Sequence, residues 1–223
     1  MSVHTSQAPL RALVFDLDGT LIDSLPGIAA SLEVAFRAAG KPLPPRDLRT
    51  VIGPPIRKIA LALDSSLAED EVEAIALAFR AHYDSEGWRA TVLFPRVEQG
   101  LRNMQRAGRR LFIVTNKPRL ATRQILQQYE LEPLFEAIFS RDSRTPQYAS
   151  KAEMLGDLMA RYALPPAESL MVGDTHEDQQ AAAANGLHFA HAAYGYGAAP
   201  GAQYVLGAFD ELEGLARLGE AKA

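Results

Sequence analysis

Short runs of apolar residues, each closing on polar or glycine residues, recur along the chain and predict buried β-strands. From residue 97 onward these runs alternate with segments in which apolar residues follow a helical period. Alternation of continuous apolar strands with helices is typical of a parallel sheet covered on both faces. The predicted strands are 12–16, 111–116, 137–140, 170–174 and, more weakly, 188–193, and the predicted helices are 97–107, 119–129, 151–162 and 177–185.

The first two predicted strands are separated by more than ninety residues, far more than one crossover helix requires. The apolar spacing of this segment is helical, and Gly40 follows one of its helices as a stop signal. We therefore predict an α/β protein with a discontinuous Rossmann-like core, residues 1–22 and 95–223, and an inserted helical cap, residues 23–94. The apolar positions that share a helix face are Ile28, Leu32, Ala35, Phe36 and Ala39, and on another helix Val72, Ile75, Phe79 and Tyr83.

Two segments follow the last predicted strand. Residues 192–201, "AAYGYGAAPG", form a glycine-rich loop. Residues 213–223, "EGLARLGEAKA", predict a terminal helix that frays at its end.

Composition and charge narrow the classes of partner. With 23 basic and 27 acidic residues the chain has no broad positive field, so we expect neither nucleic acid nor a membrane surface as a partner. The absence of cysteine excludes disulfides, thiolate zinc sites and a cysteine nucleophile. No signal-peptide pattern and no apolar run near the ~20 residues of a membrane span are present. We predict a cytoplasmic protein, and the sequence leaves monomer and homodimer open.

Polar residues cluster where the predicted strands end. Asp16 and Asp18 follow the first strand, Thr115 and Asn116 close the second, and the segment from Asp174 to Asp178 follows the fourth. Ligands of open parallel sheets gather outside the carboxyl ends of the strands. Because alternate side chains of an extended chain share a side, Asp16 and Asp18 are expected to face one spot, with Gly19 turning the backbone away.

A cluster of Asp16, Asp174 and Asp178 would be destabilised by mutual repulsion unless a cation neutralised it. An all-carboxylate site without cysteine or a histidine cluster suits Mg²⁺. We count Asp18 as a fourth candidate ligand. A metal there would also reduce the repulsion between an anionic aspartate and a phosphate.

The same residues can carry phosphoryl transfer. Asp16 is the candidate nucleophile, which would form an aspartyl-phosphate, and Asp18 is the candidate general acid and base. The Thr115 hydroxyl and backbone N–H groups beside Asn116 can donate to the phosphoryl oxygens. Lys151, at the predicted start of a helix, is the best placed cation for binding the anion.

The stretches "VFDLDGTLIDS", "FIVTNKP", Lys151 and "MVGDTHEDQQAAAANG" resemble, in order, the four motifs of the haloacid dehalogenase superfamily of phosphohydrolases. The resemblance implies the roles given above for Asp16, Asp18, Thr115 and Lys151, and Mg²⁺ binding by the acidic pair after "GD". The inserted segment resembles the cap of the phosphoglycolate phosphatase-like branch, to which "VIGPPIRK", "VTNKP" and "YGYG" are also similar.

Four residues are less firmly placed by the pattern. The lysine motif of close relatives has a proline after the lysine, whereas this chain has "SKAEML", so Lys117 is the reserve phosphate-binding lysine. Arg57 in the cap is either an anion-binding residue or a solvated helix residue. Glu177 can share the role of Asp178, and His176 is more typical of a surface or supporting residue than of a metal ligand.

The sequence therefore predicts a Mg²⁺-dependent phosphomonoester hydrolase that acts on a small phosphorylated metabolite. A β-phosphoglucomutase-like mutase, a pyrophosphatase or a 5'-nucleotidase would use the same residues. From a different class, a phospho-accepting regulatory module also combines acidic residues, threonine and lysine on a parallel sheet, but it has no inserted cap.

Overall fold

The computed structural model describes residues 9–216, which form a six-stranded parallel sheet flanked by helices and a second group of helices inserted after the first strand. This confirms the predicted α/β class. The strands are β1 (Ala12–Phe15), β2 (Ile22–Asp23), β3 (Val92–Leu93), β4 (Arg110–Thr115), β5 (Ala137–Ser140), β6 (Ser169–Gly173), β7 (His188–Ala192) and β8 (Tyr204–Leu206). The helices are α1 (Leu25–Ala38), α2 (Ile56–Leu63), α3 (Glu69–Ser85), α4 (Val97–Arg106), α5 (Arg119–Gln128), α6 (Lys151–Tyr162), α7 (His176–Ala184) and α8 (Leu212–Ala216).

The central strand is β1, and the strand order across the sheet is β5-β4-β1-β6-β7-β8. Leu13 and Phe15 face one apolar layer with α4, α5 and α8, whereas Ala12 and Val14 face another with α6 and α7. This alternation explains the continuous apolar pattern of β1, since both of its faces are covered. Phe15 pairs with Ile113 on β4 and with Val172 on β6, so the carboxyl ends of these three strands lie side by side.

The inserted segment forms another apolar cluster, in which α1 and α2 each pack on α3 and which Ala121 of α5 joins from the core. We call residues 23–94 the cap. The chain enters and leaves it through β2 and β3, which pair antiparallel with Ile22 opposite Leu93. Helix α1 ends at Ala38, and Gly40 follows with φ of 71°, as the stop signal predicts. The division into two domains stays an interpretation.

Strand and helix bounds agree with the predicted ranges to within one residue, and the weak fifth strand exists as β7. Three short strands, β2, β3 and β8, were not predicted. The predicted terminal helix begins as α8, and its remainder lies outside the described residues. No helix in the part of the chain that the structure describes is long and apolar enough to cross a membrane.

Candidate active site

Three neighbouring strands deliver the candidate residues to one edge of the sheet. Asp16 follows β1, Thr115 ends β4, and Asp174 follows β6. All three side chains are buried, with exposed fractions of 5%, 1% and 1%. Gly19, with φ of 79°, turns the chain away, and a Cβ at this position would collide with the Asp174 carboxylate.

Asp16, Asp174 and Asp178 form an acidic cluster in which one carboxylate oxygen of each lies within 4.8 Å of the others. Asp178 reaches it from the first turn of α7, where its Oδ2 accepts hydrogen bonds from the Thr175 backbone N–H at 3.0 Å and hydroxyl at 2.6 Å. Asp18 is not a member of this cluster.

Lys151 is the cation beside the cluster. Its Nζ lies 2.6 Å from Asp178 Oδ1 and 3.1 Å from Asp16 Oδ1, and the residue is 2% exposed. Ser150 caps the helix by accepting from the Glu153 N–H, so Lys151 begins α6 without the proline of the related motif. The structure thus places Lys151 where the sequence predicts it.

One ammonium group does not balance three buried carboxylates. Burial raises the pKa of Asp16 far above its usual range, and Asp178 and Asp174 raise it further although Lys151 opposes them. Burial, together with the charge of Asp178, raises the pKa of Asp174 to about 6. The pKa of Lys151 is raised: burial acts to lower it, but the charges of Asp16 and Asp178 outweigh that effect. The cluster therefore favours an added positive charge.

Two oxygen atoms of the cluster fit a cation. Among the residues that the structure describes, none donates a hydrogen bond to the buried Asp174 Oδ1, and the buried Asp16 Oδ1 has the ion pair with Lys151 Nζ, at 3.1 Å, as its polar contact. Buried carboxylate oxygens without donors are costly, and hard divalent cations take oxygen ligands. The residues present therefore fit Mg²⁺.

Asp18 lies beside the cluster but has different partners. Its Oδ1 accepts hydrogen bonds from Lys117 Nζ at 2.8 Å and from the Ser24 hydroxyl at 2.5 Å. Lys117 Nζ also donates to the hydroxyl of Tyr83 on α3, at 2.7 Å. Lys117, the reserve candidate for phosphate binding, is thus the ion-pair partner of Asp18.

Thr115 and Asn116 complete the core side of the pocket. The Thr115 hydroxyl accepts from the Lys117 N–H at 3.2 Å. Asn116 Nδ2 donates to Glu177 Oε2 at 2.9 Å, and Asn116 Oδ1 is buried without a partner among the described residues. Glu177 therefore orients Asn116, and it is not a member of the acidic cluster.

The cap covers the pocket in this structure. Gly53, from the "VIGPP" loop, lines it together with core residues, and the volume of the pocket is about 20 Å³. A cavity of that size holds about one water molecule. The lining residues are Asp16, Asp18, Gly53, Thr115, Asn116, Lys117, Lys151, Thr175 and Glu177.

Two candidate residues are not brought to the pocket. Arg57, at the start of α2, pairs with Glu69 and Glu73 on α3 and is not among the lining residues. His176 is exposed and contacts Gln179 and Gln180 of its own helix, as expected for a surface residue.

The glycine-rich loop after β7 holds the acidic cluster and the entrance to the cap together. The backbone N–H groups of Tyr196 and Gly197 donate to Asp174 Oδ2 at 2.9 and 3.2 Å. The Tyr196 hydroxyl accepts from the Ser24 N–H at 2.8 Å and donates to Asp23 Oδ1 at 2.7 Å. The sequence predicts a loop at "YGYG" and a similarity to the phosphoglycolate phosphatase-like branch, but not these contacts, since periodicity carries no information on them.

The fold and this constellation identify the class. A model of the haloacid dehalogenase-like hydrolase family matches residues 13–192, and the chain belongs to that family. It is 37% identical over 190 residues to the tyrosine-protein kinase PtkA of Mycobacterium tuberculosis, covering 85% of this chain and 64% of PtkA. The chain therefore spans somewhat less than two thirds of the length of that relative.

Two further proteins show the range of the likeness. A phosphoglycolate phosphatase of Vibrio vulnificus is 34% identical over 199 residues, covering 86% of this chain and 87% of the relative. A solved structure of a predicted phosphoglycolate phosphatase from Haemophilus somnus superposes with a TM-score of 0.82 at 25% identity, covering 95% of this chain and 99% of that one. Relatives that are named for different activities, a kinase and phosphatases, are thus similar to this chain.

Proposed function

We propose that this protein is a Mg²⁺-dependent phosphatase that hydrolyses a small phosphomonoester through an aspartyl-phosphate on Asp16. The observation that carries the proposal is the placement of Asp16 between Lys151 and two further buried carboxylates, with Asp18 and Thr115 lining the same pocket. Phosphoglycolate is the first substrate to test, because phosphoglycolate phosphatases are among the relatives at 31–34% identity.

In the proposed reaction a carboxylate oxygen of Asp16 forms a bond to phosphorus while the ester bond to the leaving group breaks. Asp18 donates its proton to the departing ester oxygen. Asp18 then takes a proton from water, whose oxygen attacks phosphorus and releases phosphate and free Asp16. Lys151 holds Asp16 in place, and the Thr115 hydroxyl donates to a phosphoryl oxygen.

Mg²⁺ held by Asp16, Asp174 and Asp178 would supply charge neutralisation between the attacking carboxylate and the phosphate. The sequence also makes Asp18 a candidate Mg²⁺ ligand. We do not include it in the proposed metal site, because its carboxylate contacts Lys117 and Ser24. The cap excludes bulk water and limits the pocket to small leaving groups once it closes over a substrate.

The test is phosphate release from phosphoglycolate, sugar phosphates, nucleotides, pyrophosphate and phosphonoacetaldehyde, with and without Mg²⁺. Asp16→Asn is the inactive variant, and Asp70→Asn, at an exposed position on α3, is the matched control. Mg²⁺-dependent release from one small ester that only Asp16→Asn abolishes would support the proposal. Isomerisation of a sugar phosphate without release would point instead to a mutase.

Protein tyrosine phosphorylation is a second candidate, favoured by the identity to PtkA. The cap loop at Gly53 lines the pocket, so the cap would have to stay open during transfer to a protein side chain, which speaks against a protein substrate. Incubation with ³²P-labelled ATP and a tyrosine peptide separates the two candidates. Label on the peptide that depends on Asp16 would favour the kinase, and free phosphate from a small ester would favour the phosphatase.

A further inference from the structure

Tyr83 is a cap residue that contacts Lys117, a core residue of the candidate active site. It lies on α3 and is 4% exposed, and its hydroxyl accepts a hydrogen bond from Lys117 Nζ at 2.7 Å. The same ammonium lies 4.6 Å from the centroid of the Tyr83 ring. The hydroxyl is therefore the group of Tyr83 that holds the ammonium.

Lys117 also contacts Asp18, so it connects Tyr83 to the candidate general acid and base. Its Nζ donates to Asp18 Oδ1, and the Ser24 hydroxyl donates to the same oxygen. Both donors hold Oδ1, so the carboxylate is oriented with Oδ2 as the oxygen for proton exchange with a substrate. The orientation of Asp18 thus depends on where the ammonium of Lys117 is fixed.

A lysine side chain is flexible, and a buried ammonium needs partners for its N–H groups. Lys117 is 6% exposed, and burial alone would lower its pKa, but the nearby Asp18 and Tyr83 raise it. The ammonium is therefore a fixed charge held at two points, Asp18 in the core and Tyr83 in the cap. Movement of α3 away from the core removes the Tyr83 point and admits water to the other.

We propose that Tyr83 is a positioning residue: through Lys117 it orients Asp18, so that the general acid and base is in place only while the cap covers the pocket. The inference rests on the proposed phosphatase function. It assigns to a cap residue a part in proton transfer, which couples cap closure to catalysis without contact between Tyr83 and the reacting atoms.

The decisive variant is Tyr83→Phe, which removes the hydroxyl and keeps the ring that stacks on Phe79 at 5.5 Å. The measured quantity is kcat/KM for two substrates, an alkyl phosphate and p-nitrophenyl phosphate. The alkoxide leaving group needs a proton from Asp18, whereas p-nitrophenolate departs without one. We expect a loss of about tenfold for the alkyl phosphate and less than twofold for p-nitrophenyl phosphate.

Tyr129→Phe is the matched control. The Tyr129 hydroxyl also joins core to cap, donating to the Thr91 carbonyl at 2.6 Å, but Tyr129 is not among the residues that line the pocket. This variant is expected to keep the wild-type ratio of the two kcat/KM values. An equal loss on both substrates in Tyr83→Phe, or no loss, would overturn the proposal, because a purely structural role affects both substrates alike.

A second measurement separates failure of this proposal from failure of the proposed function. In protein that carries isotope-labelled lysine, nitrogen NMR detects the ammonium group of a buried, hydrogen-bonded Lys117. The Lys117→Met variant identifies which signal belongs to Lys117. Loss of that signal in Tyr83→Phe, with the signal retained in Tyr129→Phe, supports the positioning role even if no phosphomonoester is hydrolysed. A signal unchanged in Tyr83→Phe overturns it.

Discussion

Asp174→Asn is expected to stabilise the metal-free protein, although it removes a residue of the proposed metal site. Asp174 is 1% exposed, and its pKa is raised from 3.8 to about 6 by burial and by Asp178. Two pKa units correspond to about 3 kcal/mol of unfavourable free energy for the charged form at pH 8. The amide oxygen of the variant can still accept from Tyr196 and Gly197, so only the buried charge is lost.

The assay is thermal unfolding in a chelating buffer at pH 8, in which about 3 kcal/mol corresponds to a rise in Tm of about 6–12 °C for a chain of this size. The pKa of Asp174 is higher in the folded state, about 6, than the ordinary value of 3.8. The stability of the wild type therefore falls as pH rises from 3.8 to about 6, and above that pH the full cost of the buried charge is present. The advantage of the variant should therefore shrink to roughly half at pH 5.

Mg²⁺ should reverse the order of stability, so that the wild type becomes more stable than Asp174→Asn. A ligand at one thousand times its Kd stabilises the folded state by about 4.1 kcal/mol, which exceeds the advantage of about 3 kcal/mol, and the wild type should gain this while Asp174→Asn gains much less. Asp70→Asn serves as the control and should respond to Mg²⁺ as the wild type does. A lower Tm for Asp174→Asn than for the wild type in chelator would refute the electrostatic account of the cluster.

Three further outcomes follow from the same contacts. Lys151→Met should lower Tm by about 6–20 °C, because a buried pair that loses one partner costs about 3–5 kcal/mol, whereas Lys41→Met, at a pair that is about one third exposed, should change Tm little. Similar Tm values for the two variants would contradict this expectation. Gly19→Ala should abolish both phosphatase activity and stabilisation by Mg²⁺, and retention of either would count against the close approach to the cluster. Tyr196→Phe should lower the free energy of urea unfolding by about 1–3 kcal/mol, and an unchanged midpoint would show that its hydroxyl contributes nothing.

The core of the fold could be predicted because strands that are buried on both faces consist of continuous runs of apolar residues. The strand β1 has both faces covered, so all four of its residues are apolar, and the same holds for most of β4 and β6. The short strands β2, β3 and β8 were not predicted, because two or three residues are too few to show a periodic pattern. In β8, Val205 is 62% exposed, so even the apolar signal is weak there.

The site was predictable where chemistry depends on the position of a residue along one strand, as for Asp16 and Thr115. It was not predictable where a contact joins distant segments. Tyr83 belonged to the apolar face of a predicted helix, and its ring is indeed buried, but only the fold reveals that its hydroxyl meets Lys117. Arg57 looked suited to an anion, yet two glutamates on the neighbouring helix occupy its guanidinium.

The paired strands β2 and β3 have a consequence for how such a protein can diverge. Ile22 and Leu93 lie opposite each other, so the inserted segment begins and ends at one point beside the sheet. A segment with adjoining ends can change in length at small cost in loop-closure entropy, and the strands of the sheet need not shift to accommodate it. Residues 23–94 can therefore change in length while Asp16, Lys151 and the acidic cluster keep their geometry, provided that a residue in the place of Tyr83 still holds Lys117.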